Sequence, residues 1–320
     1  MRVAVVDLGT NTCRLLLAEV EAGRIIGEAA RETTIVRLGQ AVDAHGRLHA
    51  AATRRARARL ADYAARIDAY GPERRLLIAT SGLRDAQDGL EFLRDIQRDL
   101  GLPFRLISGE VEGRLAFRGA VCGAAGLSGT VLVVDIGGGS TELVVGPPGC
   151  EAEGGPPFVR SIEVGAVRLT ERFLHTDPPT DAELEAAVAF TRRALDEAVP
   201  TGLRRRAGVG LGVAGTITTL VMHERGLRKY RRELVDGRVL SLAAIEAAIA
   251  EFRPLRSAER GRLAGIEPGR EDVILAGALI VREVCLLFGL VGLRCVEADV
   301  LEGAALMLAE MQPPQHGPQA

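Results

Sequence analysis

The sequence predicts an α/β protein made of two related lobes, with a cleft between them. Residues 3–15 (VAVVDLGTNTCRL) can be laid over residues 131–143 (VLVVDIGGGSTEL) at an offset of 128, so that Asp7 falls on Asp135, Gly9 on Gly137 and Leu15 on Leu143. Strand-like segments alternate with helix-like ones along the rest of the chain, the pattern of α/β layers. A length of 320 residues, 47% hydrophobic and 26% charged, is enough for two globular cores.

Each copy of the repeat is an apolar β-branched run, an aspartate, a polar turn containing glycine, and a second apolar run. That is the pattern of a β-hairpin with its polar residues at the tip. One such turn is a weak signal, whereas two in register point to a duplicated domain. In the first half helices are expected over 51–70, 85–99 and 110–119, and strands over 76–80 and 104–107. In the second half helices are expected over 181–199, 216–224, 242–252 and 272–288, and a strand over 209–213. A Gly/Ala/Ser cluster at 123–129 marks the boundary. This gives an N-terminal lobe over 1–124, a C-terminal lobe over 125–311 and a flexible tail over 312–320. Residues 146–157 read as a surface turn rich in glycine and proline.

The net charge of −2 argues against a general attraction to nucleic acid or to an anionic membrane. An anionic ligand must therefore be met by local donors. Lys229 is the only lysine, and every other strong base is an arginine, whose fork suits phosphate oxygens. Five cysteines without CxxC spacing read as reduced, mostly packed thiols of a cytoplasmic protein. No secretory signal is apparent at the start of the chain. Residues 273–293 are apolar but contain Arg282 and Glu283, so a buried helix is expected rather than a membrane span.

The two turns are suited to phosphate. Gly137, Gly138 and Gly139 let backbone N–H groups converge on an anion, and Ser140 and Thr141 add hydroxyls. In the first copy Thr10, Asn11 and Thr12 offer hydroxyl and amide donors and Arg14 a charged fork. Asp7 and Asp135 stand at strand ends, where a carboxylate holds Mg²⁺ or its waters. Three strand-to-helix junctions add donors where ligands gather in α/β sheets. These are residues 76–85 (LLIATSGLRD, Ser81 as helix cap), 104–114 (FRLISGEVEGR, Ser108 as cap) and 212–220 (GVAGTITTL). On the residues alone, Glu112 reads as a glutamate stabilising a helix N-terminus. Arg84 reads equally as an ion pair with Asp85 or a phosphate contact, and Arg270 is balanced in the same way. Residues 225–232 (RGLRKYRR) read as a solvated basic loop, and His45 and His49 as surface residues rather than a zinc site.

Taken together, residues 7–14 (DLGTNTCR), 79–86 (ATSGLRDA), 108–114 (SGEVEGR), 135–142 (DIGGGSTE) and 212–216 (GVAGT) closely resemble the motifs of the exopolyphosphatase/guanosine pentaphosphate phosphatase (Ppx/GppA) family. Arg270, Asp272 and residues 301–303 (LEG) extend the match over about residues 3–308. The resemblance implies the actin-like ATPase fold, with two duplicated RNase-H-like lobes around an interlobe cleft. It also implies removal of a terminal phosphate from inorganic polyphosphate, or from guanosine pentaphosphate, with Mg²⁺ or Mn²⁺ as cofactor.

Carried over by position, the resemblance makes Glu112 the water-activating carboxylate and Glu142 a second carboxylate near the reacting phosphate. Asp135 becomes the metal residue, with Asp7 beside it. Thr10, Asn11, Thr12, Arg14, Arg84, Gly137, Gly138, Gly139, Ser140, Gly215 and Thr216 become the phosphate-binding set. Thr10, Thr12, Gly82 and Glu271 depart from the usual pattern while keeping donors or lying beside them. The chain is similar to short family members without the additional C-terminal helical domain, which favours short polyphosphates as substrate. A homodimer is implied by the resemblance alone.

Direct attack by water is expected, because Cys13 is the sole lysine, cysteine or histidine in these motifs and it precedes an apolar, packed stretch. A phosphotransferase of the same fold and a guanosine-polyphosphate sensor without catalysis are the competing classes. The Glu112 motif argues against the first, and retention of both Glu112 and Glu142 against the second.

Overall fold

Residues 3–8 are uninterrupted core material, with Val3, Val5 and Val6 fully buried, and they form the central strand of the first sheet. The computed structural model describes residues 1–150 and 154–311, so the expected tail and part of the 146–157 turn lie outside it. Strand β1 (Arg2–Leu8) pairs antiparallel with β2 (Thr12–Glu21), and β2 with β3 (Arg24–Ile35). After α1 (Val42–His45) and α2 (Ala50–Tyr70), strand β4 (Arg74–Ala79) returns parallel to β1. The short α3 (Ser81–Arg84) and α4 (Gly89–Leu100) lead to β5 (Phe104–Leu106), parallel to β4. Helix α5 (Gly109–Gly123) then crosses to the second lobe.

That lobe repeats the plan. Strands β6 (Val131–Ile136), β7 (Thr141–Gly146) and β8 (Phe158–Ile162) form an antiparallel meander. After α6 (Ala166–Phe173) and α7 (Asp181–Ala198), β9 (Val209–Val213) runs parallel to β6. There follow α8 (Ala214–Glu224), α9 (Arg232–Val235), β10 (Val239–Ser241), α10 (Leu242–Phe252), α11 (Ser257–Arg260) and α12 (Ile274–Phe288). Strand β11 (Gly292–Cys295) joins β9 in parallel, and α13 (Val300–Glu310) ends the described chain. The first sheet has the order β3-β2-β1-β4-β5, and the second contains the same run as β8-β7-β6-β9-β11, with β10 added at the edge. The repeat seen in the hairpins thus extends to the whole sheet. This is the duplicated two-lobe plan of the actin-like ATPase fold.

Helices α5 and α13 lie between the sheets. Leu115 and Ala116 of α5 share a core with Val3, Val5 and six buried apolar residues of α13, whereas Phe117 and Ala120 of α5 pack on Val131, Val133 and Val144. Helix α13 follows the second sheet in sequence but packs on the first. The two helices meet through glycines, Gly119 against the backbone of Asp299 and Gly303 against that of Leu115. Glu112, in the first turn of α5, and Asp299, the N-cap of α13, line one cleft.

Most expected helices lie within a few residues of their observed bounds. The expected helix over 85–99 is the exception, for the chain forms α3, breaks over 85–88 and restarts at Gly89. Asp88 accepts the amide of Leu48 at 2.9 Å instead of continuing the helix. The cap of α3 is Thr80 rather than Ser81, whose hydroxyl is engaged with Thr10 at 3.0 Å. Helix α12 occupies most of the apolar run and is core on nearly every side. Its buried Glu283 is balanced by Arg282 at 2.8 Å and Arg192 at 3.0 Å. Among the described residues no helix is long and apolar enough to cross a membrane.

Candidate active site

The register of the two hairpins sets the charges of the cleft. Asp7 stands opposite Arg14 across β1–β2, and Asp135 opposite Glu142 across β6–β7. One duplicated position thus carries an arginine in the first lobe and a glutamate in the second. Arg14 donates to Asp7 Oδ2 through Nε at 2.9 Å and Nη2 at 2.6 Å, while its Nη1 pairs with Asp299. Asp299 is the N-cap of α13, its Oδ1 accepting the Leu301 amide at 3.0 Å and its own amide donating to Glu302 at 2.7 Å. Arg14 was expected as a fork for phosphate; in the structure its guanidinium is held between two carboxylates. Burial alone would lower the pKa of Arg14, but Asp299 and Asp7 outweigh it and keep the arginine firmly charged.

Glu112 and Glu142 approach one another from opposite lobes, near enough for Glu142 to disfavour the charged form of Glu112. The Ser108 hydroxyl caps α5 by accepting from Val111 N at 3.3 Å, which fixes Glu112 in the first turn. Glu142 accepts from Ser161 Oγ at 2.7 Å through Oε1. Each glutamate keeps a buried Oε2 with no hydrogen-bond partner among the described residues. An orphaned carboxylate oxygen in the interior is costly unless a ligand completes it.

The cluster titrates accordingly. Glu112 is pushed well above the usual carboxylate range by burial, and further by Glu142, Asp135 and Asp7. Burial, Glu142 and Asp299 do the same to Asp135. Burial raises Glu142 to about 7 despite its bonds from Ser161 and Ser140. Asp7 is raised by burial that Arg14 only partly offsets. Perturbed carboxylates gathered in a cleft are the electrostatic mark of a working site.

A cleft of about 470 Å³ joins Asp7, Glu112 and Asp135 to both turns and to the starts of α5, α8 and α13. The turns have matching internal bonds, Gly9 N to Thr12 O at 2.9 Å and Gly137 N to Ser140 O at 3.0 Å. Among the described residues, the amides of Thr10, Asn11, Gly138, Gly139 and Ser140 donate to no protein acceptor. Four of these amides belong to residues that line the cleft, as suits an anion-binding concavity.

The floor of the cleft is closed where the lobes touch. A Cβ on Gly138 would come within 2.9 Å of Thr10 Cβ, and one on Gly139 within 2.7 Å of Ser81 Oγ. Glycine is needed there for close approach of the two lobes.

At the start of α8, Arg270 lies over Gly215, and Thr216 Oγ1 donates to Ile136 O at 3.3 Å. Ala214, lining the cleft, is held at φ 68°, a left-handed conformation that costs an alanine about 1 kcal/mol. Ala214→Gly is expected to raise the urea unfolding midpoint by an amount worth about 1 kcal/mol. An unchanged midpoint would show that this conformation carries no net strain.

All expected site residues line the cleft except Glu142, Gly139 and Arg84. Glu142 and Gly139 lie immediately behind its wall. Arg84 stands aside, donating to Ile107 O at 3.1 Å and approaching Glu163 at 3.7 Å, yet close enough to favour the charged forms of Glu112 and Glu142. Arg270, buried and tied to Glu267 at 3.1 Å, lines the cleft directly. The sequence reasoning missed Asp299, Glu297 and Tyr230. Asp299 had a signal, the Asp-x-x-Glu pattern with Glu302 ahead of an apolar run, which marks a helix start. Tyr230 and Arg232 line the cleft, so residues 225–232 are not merely a solvated loop. His49 caps α2, accepting from Ala51 N at 3.3 Å, and His45 ends α1 on the surface. Cys13, Cys150, Cys285 and Cys295 are buried and Cys122 is exposed.

Comparison with known proteins places these features in a group. The profile of the Ppx/GppA phosphatase family matches residues 16–309. Exopolyphosphatase 2 of Mycobacterium tuberculosis is 38% identical over 320 residues, spanning 96% of this chain and 98% of that protein. A crystal structure of an exopolyphosphatase-like protein superposes with a TM-score of 0.89 at 35% identity, covering 96% of this chain and 97% of the other. The crystal structure of the Aquifex aeolicus Ppx/GppA family member superposes with a TM-score of 0.80 at 32% identity, covering 98% and 99%.

Proposed function

Because the chain belongs to the Ppx/GppA phosphatase family, we propose that it is an exopolyphosphatase in which Glu112 activates water for attack on the terminal phosphorus. One observation carries the reading. Glu112, with an unpartnered buried oxygen among the described residues, lines a cleft with two turns whose amides are free, and Glu142, with a second such oxygen, stands next to it. The turns hold phosphoryl oxygens, and Glu112 Oε2 accepts the proton of a water lying between it and the phosphorus. Little else is required, since phosphoryl transfer rests on positioning and charge stabilisation. Glu142, oriented by Ser161, is the second carboxylate at the reacting centre. The closed floor at Thr10 means that a chain enters end first, which favours removal of terminal units.

Mg²⁺ fits the donor set. Among the described residues no three His, Cys, Asp or Glu side chains close on a ready-made metal site. Mg²⁺ does not need one, because it keeps several waters and is held by one or two carboxylates plus substrate phosphates. Burial first, and neighbouring carboxylates second, raise Glu112 and Asp135, with Arg14 only partly offsetting the shift of Asp135, so a cation beside them would favour their ionised forms. Asp135, with Asp7 beside it, would hold the cation, which when bound neutralises charge on the transferring phosphoryl group.

A pH dependence follows. Glu142 titrates near 4.5 when unfolded and at about 7 when folded, so the folded state binds the extra proton between these values. Stability is therefore full below about pH 4.5 and declines as pH rises through 7, by on the order of 3 kcal/mol. The Tm of cation-free protein should fall from pH 5 to pH 8, and the Glu142→Gln protein should show a smaller fall. Added Mg²⁺ should raise Tm more at pH 8 than at pH 5, because the ligating carboxylates must be ionised. Equal slopes in the two proteins would remove Glu142 from the titrating cluster.

Orthophosphate release with Mg²⁺ tests the function, using short polyphosphate, long polyphosphate and guanosine pentaphosphate separately. The expected result is release from polyphosphate. Guanosine pentaphosphate presents the same terminal anhydride to the same groups, and faster release from it would move the assignment to that substrate. No release from any of the three by folded protein would overturn the hydrolase reading.

A further inference from the structure

A second groove, of about 940 Å³, adjoins the cleft, and Thr33, Tyr230 and Glu267 line both spaces. The groove is also lined by Arg228, Lys229 and Arg262, all exposed, and none forms an ion pair among the described residues. Nearby acids are already engaged, Glu267 with Arg270 at 3.1 Å and Glu297 with Tyr230 Oη at 2.5 Å and Thr218 Oγ1 at 2.7 Å. The groove is therefore positive, in contrast to the carboxylate cluster beside it.

It is also built rather than frayed. Residues 261–268 lie against α8, with His223 Nδ1 donating to Ala264 O at 3.0 Å. Gly265, at φ 85°, touches the His223 backbone so closely that no side chain fits there. Arg260 anchors the segment from below, its side chain buried and its Nε donating to Glu271 O at 2.9 Å.

We propose that this groove binds the distal phosphates of a polyphosphate chain whose end occupies the cleft, with Arg228, Lys229 and Arg262 as the binding residues and Tyr230 as the sill between the spaces. The proposal rests on the exopolyphosphatase reading for the direction of the chain. A polyphosphate carries about one negative charge per unit beyond its terminus, and the groove offers three cations without ion pairs among the described residues. Such contacts give a salt-dependent gain that grows with chain length, as for the phosphate backbone of nucleic acids. A tripolyphosphate, filling the cleft alone, would not reach them.

The test is equilibrium binding to the non-hydrolysing Glu112→Gln protein, with and without R228Q/K229Q/R262Q. Labelled chains of several tens of phosphates, competing tripolyphosphate and competing guanosine pentaphosphate are the probes. The triple substitution should weaken the long chain about tenfold and flatten its salt dependence, while tripolyphosphate shifts less than twofold. The control R54Q/R205Q/R206Q, which removes three exposed charges elsewhere, should move neither. Equal weakening of long and short chains would overturn the proposal, as would an unchanged long-chain Kd. Loss confined to guanosine pentaphosphate would also overturn it and make the groove a nucleoside seat. Hydrolysis by the wild-type protein is scored separately. A protein that binds long chains through these residues without shortening them would keep the groove and lose the exopolyphosphatase reading.

Discussion

Glu112→Gln should lower kcat for orthophosphate release by about 10²- to 10⁴-fold, with KM changed far less. The amide retains the shape of the side chain but cannot take a proton from water. The phosphate-binding turns and Asp135 are untouched, so substrate still enters. The substitution should also stabilise the folded protein. It removes a buried carboxylate whose Oε2 has no partner and which Glu142, Asp135 and Asp7 all repel. A rise in Tm together with a fall in kcat is the signature of a residue held at a cost in stability for its chemistry. If kcat falls by less than about tenfold in folded protein, the base role passes to Glu142, and Glu142→Gln becomes the decisive variant.

The second large effect is on folding. Arg14→Met keeps much of the side-chain volume but leaves Asp7 and Asp299 unpaired in the interior, beside Asp135. Removing one partner of a buried ion pair costs about 3–5 kcal/mol, because an uncompensated charge remains. Stability to urea should drop by that order, and Asp299→Asn added to Arg14→Met should restore part of it. This outcome separates two roles for Arg14. A drop below about 1 kcal/mol would mean that its ion pairs contribute little, leaving the guanidinium available to phosphate as the sequence motif implied.

Much of this was legible in the sequence, because the duplication places chemistry and fold on the same residues. The register of Val3 to Leu15 on Val131 to Leu143 gave both hairpins, and the strand orders of the two sheets extend that symmetry. What escaped depends on contacts distant in sequence. Arg14 meets Asp299 across 285 residues, so a local motif could not show that its guanidinium is held between carboxylates. Helix α13 follows the second sheet yet packs on the first, and no periodicity within residues 300–310 says which sheet it covers. Residues 225–232 carry charge without an apolar pattern. Only the placement of Tyr230 and Arg232 against the cleft distinguishes a binding edge from a solvated loop.

In the proposed reaction a chain terminus enters a cleft closed at Thr10 and loses its last phosphate to water. Partial digestion of long, uniform polyphosphate with Mg²⁺, followed by electrophoretic separation of the products, tests it most directly. Orthophosphate with progressively shortened chains is the predicted result, absent in the Glu112→Gln protein. Fragments of intermediate length from the first moments of digestion would contradict end-on entry, and intact chains with folded wild-type protein would contradict the exopolyphosphatase itself.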